Sequence, residues 1–409
     1  MDSNDNAEEA CIDLDDACLI DFLQMAPTAE LVASLRAKDS DDKFGASPQA
    51  ALLKCLRHPT AVSYPPGRPY REKLLTQSVL AAERDGCELN DELAEAHAEA
   101  LTENPDNRTE TDNWCYKTFV LDCCCADDDN ETRDGVARDE RHRSHTSTTA
   151  SVSNALPITI KTHPNLFEGG TGCHEWAAGF TLAELIVSFP KVFESKIVAE
   201  IGPGVGVSAV CLAKQTNCKT IHLLDREPET LGNLTSNLGV NGVGVVANIG
   251  TNDGLVNDDD TLRTVAGKIV HPPICLTRLD WFDFNEQVMA DLKVDVVIAA
   301  DVLYDPLDVP GVLDATKALL GVRREVDSID KGARNKFHFL QRNEKCAIFV
   351  SALRQPATLA LFEKVATERG FEPIDVTAVL PVHQSVGFRR LGSVQRTEIR
   401  VHVLRPPVE

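Results

Sequence analysis

One stretch does most to limit what this chain can fold into. Val198-Ala199-Glu200-Ile201-Gly202-Pro203-Gly204-Val205-Gly206-Val207-Ser208 is an apolar run, a glycine-rich turn and the start of a helical pattern that continues through Val210 and Leu212. Such a turn lets a ligand approach the backbone closely, and the helix that follows offers unpaired N–H groups. It belongs to a series. From about residue 155, short apolar runs alternate with helical patterns, the signature of βαβ units and a parallel sheet. The runs are Ile197–Ile201, Thr220–Leu224, Ile274–Leu279, Val294–Ala300 and Ala347–Ser351, with later candidates at Pro373–Val382 and Glu398–Leu404. Gly242–Lys268 and Val322–Glu344 read as polar insertions between units.

The spacing of the glycines narrows the ligand. A nicotinamide-dinucleotide turn reads G-x-G-x-x-G. Here the glycines are 202, 204 and 206, Val207 stands where the third should be, and Pro203 has no N–H to give. That suits a neutral nucleoside better than a pyrophosphate, which wants several donors, and it argues against a dehydrogenase. Asp225 closes the next run, where a carboxylate accepts hydrogen bonds from two ribose hydroxyls. Trp281 follows the third run and offers a face or edge to an adenine, an ordinary core tryptophan being the alternative. Ala300-Asp301-Val302-Leu303-Tyr304 ends the fourth run. Ligands of open parallel sheets sit beyond the carboxyl ends of the strands, so Gly202, Asp225, Trp281 and Ala300–Tyr304 are expected around one crevice.

The remainder of the chain reads differently. Residues 1–112 carry helical spacing at Leu19, Leu23, Leu31 and Leu35, through Ala51–Leu56 and Glu72-Lys73-Leu74-Leu75, and an Ala/Glu/Leu-rich run at Leu89–Leu101. A Pro-rich break at 64–70 separates two of these segments. They are expected to form an N-terminal helical accessory domain, with residues 113–409 as the second domain. Trp114–Leu121 reads as a strand. Residues 126–153 are nearly devoid of apolar side chains and read as a disordered insertion. The Cys123-Cys124-Cys125 triplet lacks a second Cys pair at metal-ligand spacing, and His142 and His145 lie in the polar stretch, so no metal site is expected. With 41 Lys+Arg against 63 Asp+Glu the net charge is −22, the wrong sign for sequence-independent grip on nucleic acid. No apolar run is long enough for a membrane span, and Met1-Asp2-Ser3-Asn4-Asp5 lacks the basic start of a secretory signal. The 13 cysteines therefore read as reduced thiols of a cytoplasmic protein.

These residues resemble the class I, seven-β-strand S-adenosylmethionine-dependent methyltransferases, and the resemblance implies a Rossmann-like, doubly wound α/β sheet. Asp301-Val302-Leu303-Tyr304 is similar to the D-x-x-Y signature of the protein-lysine branch. Gly169-Gly170-Thr171-Gly172-Cys173-His174-Glu175-Trp176-Ala177-Ala178 resembles that branch's TG…W-(D)-A segment, with Ala177 in place of the usual Asp. His58-Pro59, Tyr64-Pro65-Pro66, Cys115-Tyr116-Lys117 and Ala300-Asp301 through Asp305-Pro306 bring the chain nearest to the elongation factor 2 lysine methyltransferases. The resemblance implies S-adenosylmethionine bound by Trp176, Glu200, Gly202, Pro203, Gly204, Asp225, Trp281 and Ala300, no metal, and elongation factor 2 as the protein partner. Asp301 is expected to orient the acceptor amine and Tyr304 to offer it a π face and a hydroxyl. An N-cap ahead of Pro306 is the alternative for Asp301. Rival readings are a methyltransferase acting on another protein, RNA or a small molecule, and a non-catalytic interaction protein that kept the fold. Base-methylating enzymes resemble one another in N/D-P-P-Y/F where this chain has Asp-Val-Leu-Tyr.

Overall fold

The protein is described from a computed structural model, which covers residues 16–102, 114–123, 155–164, 170–249, 272–322, 344–379, 386–391 and 398–407. The expected insertion at 126–153, Cys124, Cys125, His142, His145, Gly169 and most of the two polar stretches lie outside these residues.

Among the described residues, six helices come first: α1 Ala17–Leu23, α2 Thr28–Arg36, α3 Ala46–Leu56, α4 Pro59–Ser63, α5 Arg68–Arg84 and α6 Asp91–Thr102. Their apolar positions meet in one core that includes Leu19, Phe22, Leu31, Leu35, Leu52, Leu74 and Leu93. The Pro-rich break is shorter than its composition suggests. Pro69 sits in the first turn of α5, where its missing N–H costs nothing. These helices rest on a small antiparallel sheet of β1 Cys115–Asp122, β2 Ala155–Thr162 and β10 Gly387–Phe388, in the order β10-β1-β2. The join is polar as well as apolar. Arg390 donates to both carboxylate oxygens of buried Asp21 at 2.5 Å, and Gln24 donates to the Arg389 carbonyl at 2.8 Å.

The larger sheet is built from β3 Ile197–Ile201, β4 Thr220–Asp225, β5 Ala247–Ile249, β6 Ile274–Arg278, β7 Val296–Ala300, β8 Cys346–Ala352, β9 Glu372–Asp375 and β11 Ile399–Arg405. Its order is β5-β6-β4-β3-β7-β8-β11-β9, parallel from β5 to β8 and antiparallel on both sides of β11. Without β5 this is the seven-strand class I methyltransferase order. The sheet thus has one strand more than expected, because three residues inside the Gly242–Lys268 stretch pair on its edge. Only residues 373–375 of the candidate run 373–382 are strand among the described residues; a single turn of 3₁₀ helix follows.

Helices cover both faces, as the strand alternation requires. Val198 and Ile298 point to one side, with α7 Ala177–Ser188, α8 Val207–Gln215 and α9 Pro228–Val240. Ala199, Ile201, Val297 and Ala299 point to the other, with α10 Glu286–Asp291, α11 Val309–Leu320 and α12 Pro356–Glu368. The small sheet packs on the first side through a ring cluster, Phe119–Phe180 at 4.7 Å and Phe180–Phe388 at 5.0 Å between centroids.

Candidate active site

The register of the strands brings the chosen ends together. Ile201 lies opposite Leu224 and Ala299, and the Gly202 amide donates to the Leu224 carbonyl at 2.8 Å. Asp225 lies opposite Arg278, and its carbonyl accepts from the Leu279 amide at 2.9 Å. Gly202, Gly204 and Gly206 all have positive φ, at 64°, 53° and 87°, where a side chain is strained. Space forbids one as well: a Cβ on Gly202 would stand 2.8 Å from Val302 Cγ1 and 3.9 Å from the Trp281 ring, and one on Gly206 would stand 2.5 Å from Leu234 Cδ1. The turn, Trp281 and the segment after β7 are therefore neighbours across one crevice.

Two carboxylates lie at these strand ends. Glu200, near the end of β3 and 1% exposed, accepts from the Ser208 hydroxyl through Oε1, while Oε2 has no partner. Burial pushes its carboxyl up to about 7, against the lowering effect of Ser208. Asp225 accepts the Glu227 amide at 3.1 Å, and burial pushes it up to about 6. The half-buried Trp281 leaves its indole N–H without a partner. Glu200 Oε2 and the Trp281 indole N–H are thus left without a protein partner, beside a second raised carboxylate. They fit a nucleoside with a cationic amino-acid arm, as S-adenosylmethionine has.

Residues 171–176 run close to the glycine turn. Glu175 is buried, ion-paired with Lys117 and an acceptor for the Thr162 hydroxyl at 2.9 Å. Desolvation alone would raise its carboxyl, but the Lys117 charge and the bonds made to the ionised form outweigh it and hold the group low. The Cys173 carbonyl accepts from the His163 amide at 2.9 Å. A Cβ on Gly204 would stand 3.3 Å from the Gly172 carbonyl. The segment thus bridges the small sheet and the glycine turn. Trp176 is the N-cap residue of α7 and donates its indole N–H to the Thr171 carbonyl at 2.9 Å.

On the far side, Asp301 departs from its expected form. It is a non-glycine residue at φ 54°, an uncommon conformation that short polar side chains tolerate best. Its carboxylate is already engaged, accepting the Ala352 amide at 2.8 Å and Arg354 Nη2 at 3.3 Å. The next helix begins at Val309, so Asp301 is not its N-cap. The Arg354 guanidinium lies 4.9 Å from the centroid of Trp176. Tyr304, 48% exposed, lines a cavity of about 90 Å³ together with Asp301, Leu303, Ser351, Arg354 and Arg400. Sequence reasoning missed Arg354 and the Lys117–Glu175 pair, which are brought in from other elements. Among the described residues no group of His, Cys, Asp and Glu is set to hold a metal, the cysteines are free thiols, and no helix is long and apolar enough to cross a membrane.

The strand order, the glycine turn and the carboxylate at the end of β4 define a class I, Rossmann-like methyltransferase fold. No protein-family profile matches the chain. It is similar to the protein-lysine N-methyltransferase EEF2KMT of Bos taurus, with 28% identity over 312 residues, 74% of this chain and 76% of that one. The EEF2KMT of Homo sapiens is 26% identical over 324 residues, 78% of this chain and 80% of the relative. Among solved structures, the N-methyltransferase NodS from Bradyrhizobium japonicum WM9 in complex with S-adenosyl-l-homocysteine matches with a TM-score of 0.31 and 12% identity, covering 55% of this chain and 84% of that one. At that score the likeness carries no weight, and the fold assignment rests on the strand order.

Proposed function

We propose that this protein is a lysine N-methyltransferase that takes methyl groups from S-adenosylmethionine and places them on a lysine of elongation factor 2 in the cytoplasm. The carrying observation is that the ends of four neighbouring strands come together, with Glu200 Oε2 and the Trp281 indole N–H left without a protein partner among them. Similarity to EEF2KMT relatives over about three quarters of the chain supports the acceptor.

The donor, when bound, supplies an electrophilic methyl group on a sulfonium. Asp225 holds the ribose hydroxyls, and Trp281 borders the adenine. The backbone of Gly202, Pro203 and Gly204 and the side of Ala300 admit the nucleoside closely. Glu200 answers the cationic amino group, and Trp176 covers the crevice. The protein's remaining task is alignment and the exclusion of water. A lysine begins protonated, with an ordinary pKa near 10.4, and bringing it to about 7 takes about 4–5 kcal/mol at about 1.4 kcal/mol per unit. Desolvation in the small cavity beside Tyr304, and the nearby positive charge, act in that direction. Tyr304 offers its π face to an amine that becomes more cationic as it is methylated, and Asp301 provides the negative charge.

Labelled donor incubated with cell lysate, with and without RNase or protease, and then with purified elongation factor 2, tests this reading. Label on a lysine of the factor is expected, and Asp301→Ala or Tyr304→Ala should lose transfer while donor binding persists. Label that disappears with RNase, or full activity in either variant, overturns it.

A further inference from the structure

Beside the cavity that Tyr304 lines, a cation already occupies a place built for one. The Arg354 guanidinium meets both the Asp301 carboxylate, 3.3 Å away, and the face of Trp176, 4.9 Å from its centroid. A carboxylate opposite an aromatic face is the standard means of holding an ammonium or guanidinium ion. Asp301 keeps this aim through a left-handed backbone and the Ala352 amide, and strain of that kind collects at functional positions. Arg354 itself is loosely held. Its side chain is 46% exposed, and its contact with Asp301 is a single long ion pair, of the sort that is weak in water. It lies two residues beyond β8, with its amide bonded to the Ala352 carbonyl at 2.9 Å, so its backbone is fixed while its half-exposed side chain can turn out to solvent.

We propose that the Asp301–Trp176 gap is the ammonium subsite of the acceptor lysine and that Arg354 is an internal placeholder, displaced when the lysine enters. The inference rests on the lysine-methyltransferase reading and deepens it. It also accounts for an Asp301 that is engaged rather than free: the carboxylate exchanges one cation for another and is never left bare. A placeholder seated about nine-tenths of the time weakens apparent acceptor affinity roughly tenfold.

Two variants of the full chain test this. For Arg354→Gln, calorimetric titration with purified elongation factor 2, without donor, should show binding about tenfold tighter than wild type. Arg354→Lys places a primary amine in the gap. Given S-adenosylmethionine and no protein acceptor, the Arg354→Lys chain should gain one or more methyl groups at position 354, read by mass spectrometry. In that step the methyl carbon leaves the sulfonium sulfur, which keeps the bonding pair as a neutral thioether. The carbon bonds to the introduced Nζ, whose proton goes to water. Tighter binding or methylation at position 354 each sustains the inference. Unchanged or weaker binding together with an unmodified position 354 overturns it. A wild-type chain that neither binds nor labels the factor, while the Arg354→Lys chain methylates itself at that position, sinks the acceptor assignment and leaves the subsite standing.

Discussion

The two sides of the crevice are made of different materials. The proposed donor side, at the ends of β3 and β4, is backbone: three glycines at positive φ, a proline and a helix start, with the carboxylates of Glu200 and Asp225 at the same strand ends. The proposed acceptor side, beyond β7 and β8, is side chain: Asp301, Tyr304 and Arg354, with Trp176, from the segment before α7, shared between the two sides. Backbone shape is local and rigid, whereas a side-chain sandwich is assembled by the fold and can open. Damage to the first should therefore abolish donor binding, and damage to the second should leave it intact.

Gly202→Val presses hardest on that contrast. Its Cβ would stand 2.8 Å from Val302 Cγ1, at a φ of 64°, which a β-branched residue does not tolerate. Donor affinity should fall at least about a hundredfold, equivalent to about 2.7 kcal/mol, as read by calorimetry. Retained affinity would mean that the nucleoside does not lie against this turn. Asp225→Ala comes next. It removes a charged hydrogen bond to the ribose, worth about 1.5–3 kcal/mol, so donor affinity should drop roughly ten- to a hundredfold with the fold intact by circular dichroism. An equal loss from Tyr304→Ala would erase the distinction between the two sides.

The same contrast governs what the sequence discloses. The glycine turn, Asp225 and the ends of the third and fourth runs could be read because each is contiguous and its spacing follows from strand and helix periods. The doubly wound sheet followed from the alternation of runs, which the structure bears out through β8. The short strand Ala247–Ile249 could not be read, since three residues carry no period and owe their conformation to the edge of β6. The two-residue β10 was hidden for the same reason. Arg354 gave no signal either: an arginine after a strand is unremarkable until Trp176 and Asp301 are known to flank it. The engaged state of Asp301 depends on the Ala352 amide, and no motif encodes that contact.

The smallest effect separates the two carboxylates of the donor side. Burial raises Asp225 to about 6 and Glu200 to about 7. A carboxyl whose folded pKa lies above its unfolded one stabilises the fold fully below the unfolded value, near 4, and that contribution is lost as pH rises through the folded value. Both groups therefore oppose folding once ionised in the free protein. Ribose hydroxyls and a cationic amino group favour the ionised forms, so donor binding recovers the loss and its affinity follows the ionised fraction. One proton must leave each group for the donor to bind, so between about pH 8 and about pH 6 the affinity should fall roughly tenfold through Glu200 and roughly twofold through Asp225. In Asp225→Asn the smaller part, near pH 6, should vanish while the part near pH 7 stays. Calorimetry across this range reads both, and a flat profile in the wild type would show that neither carboxylate meets the donor in its ionised form.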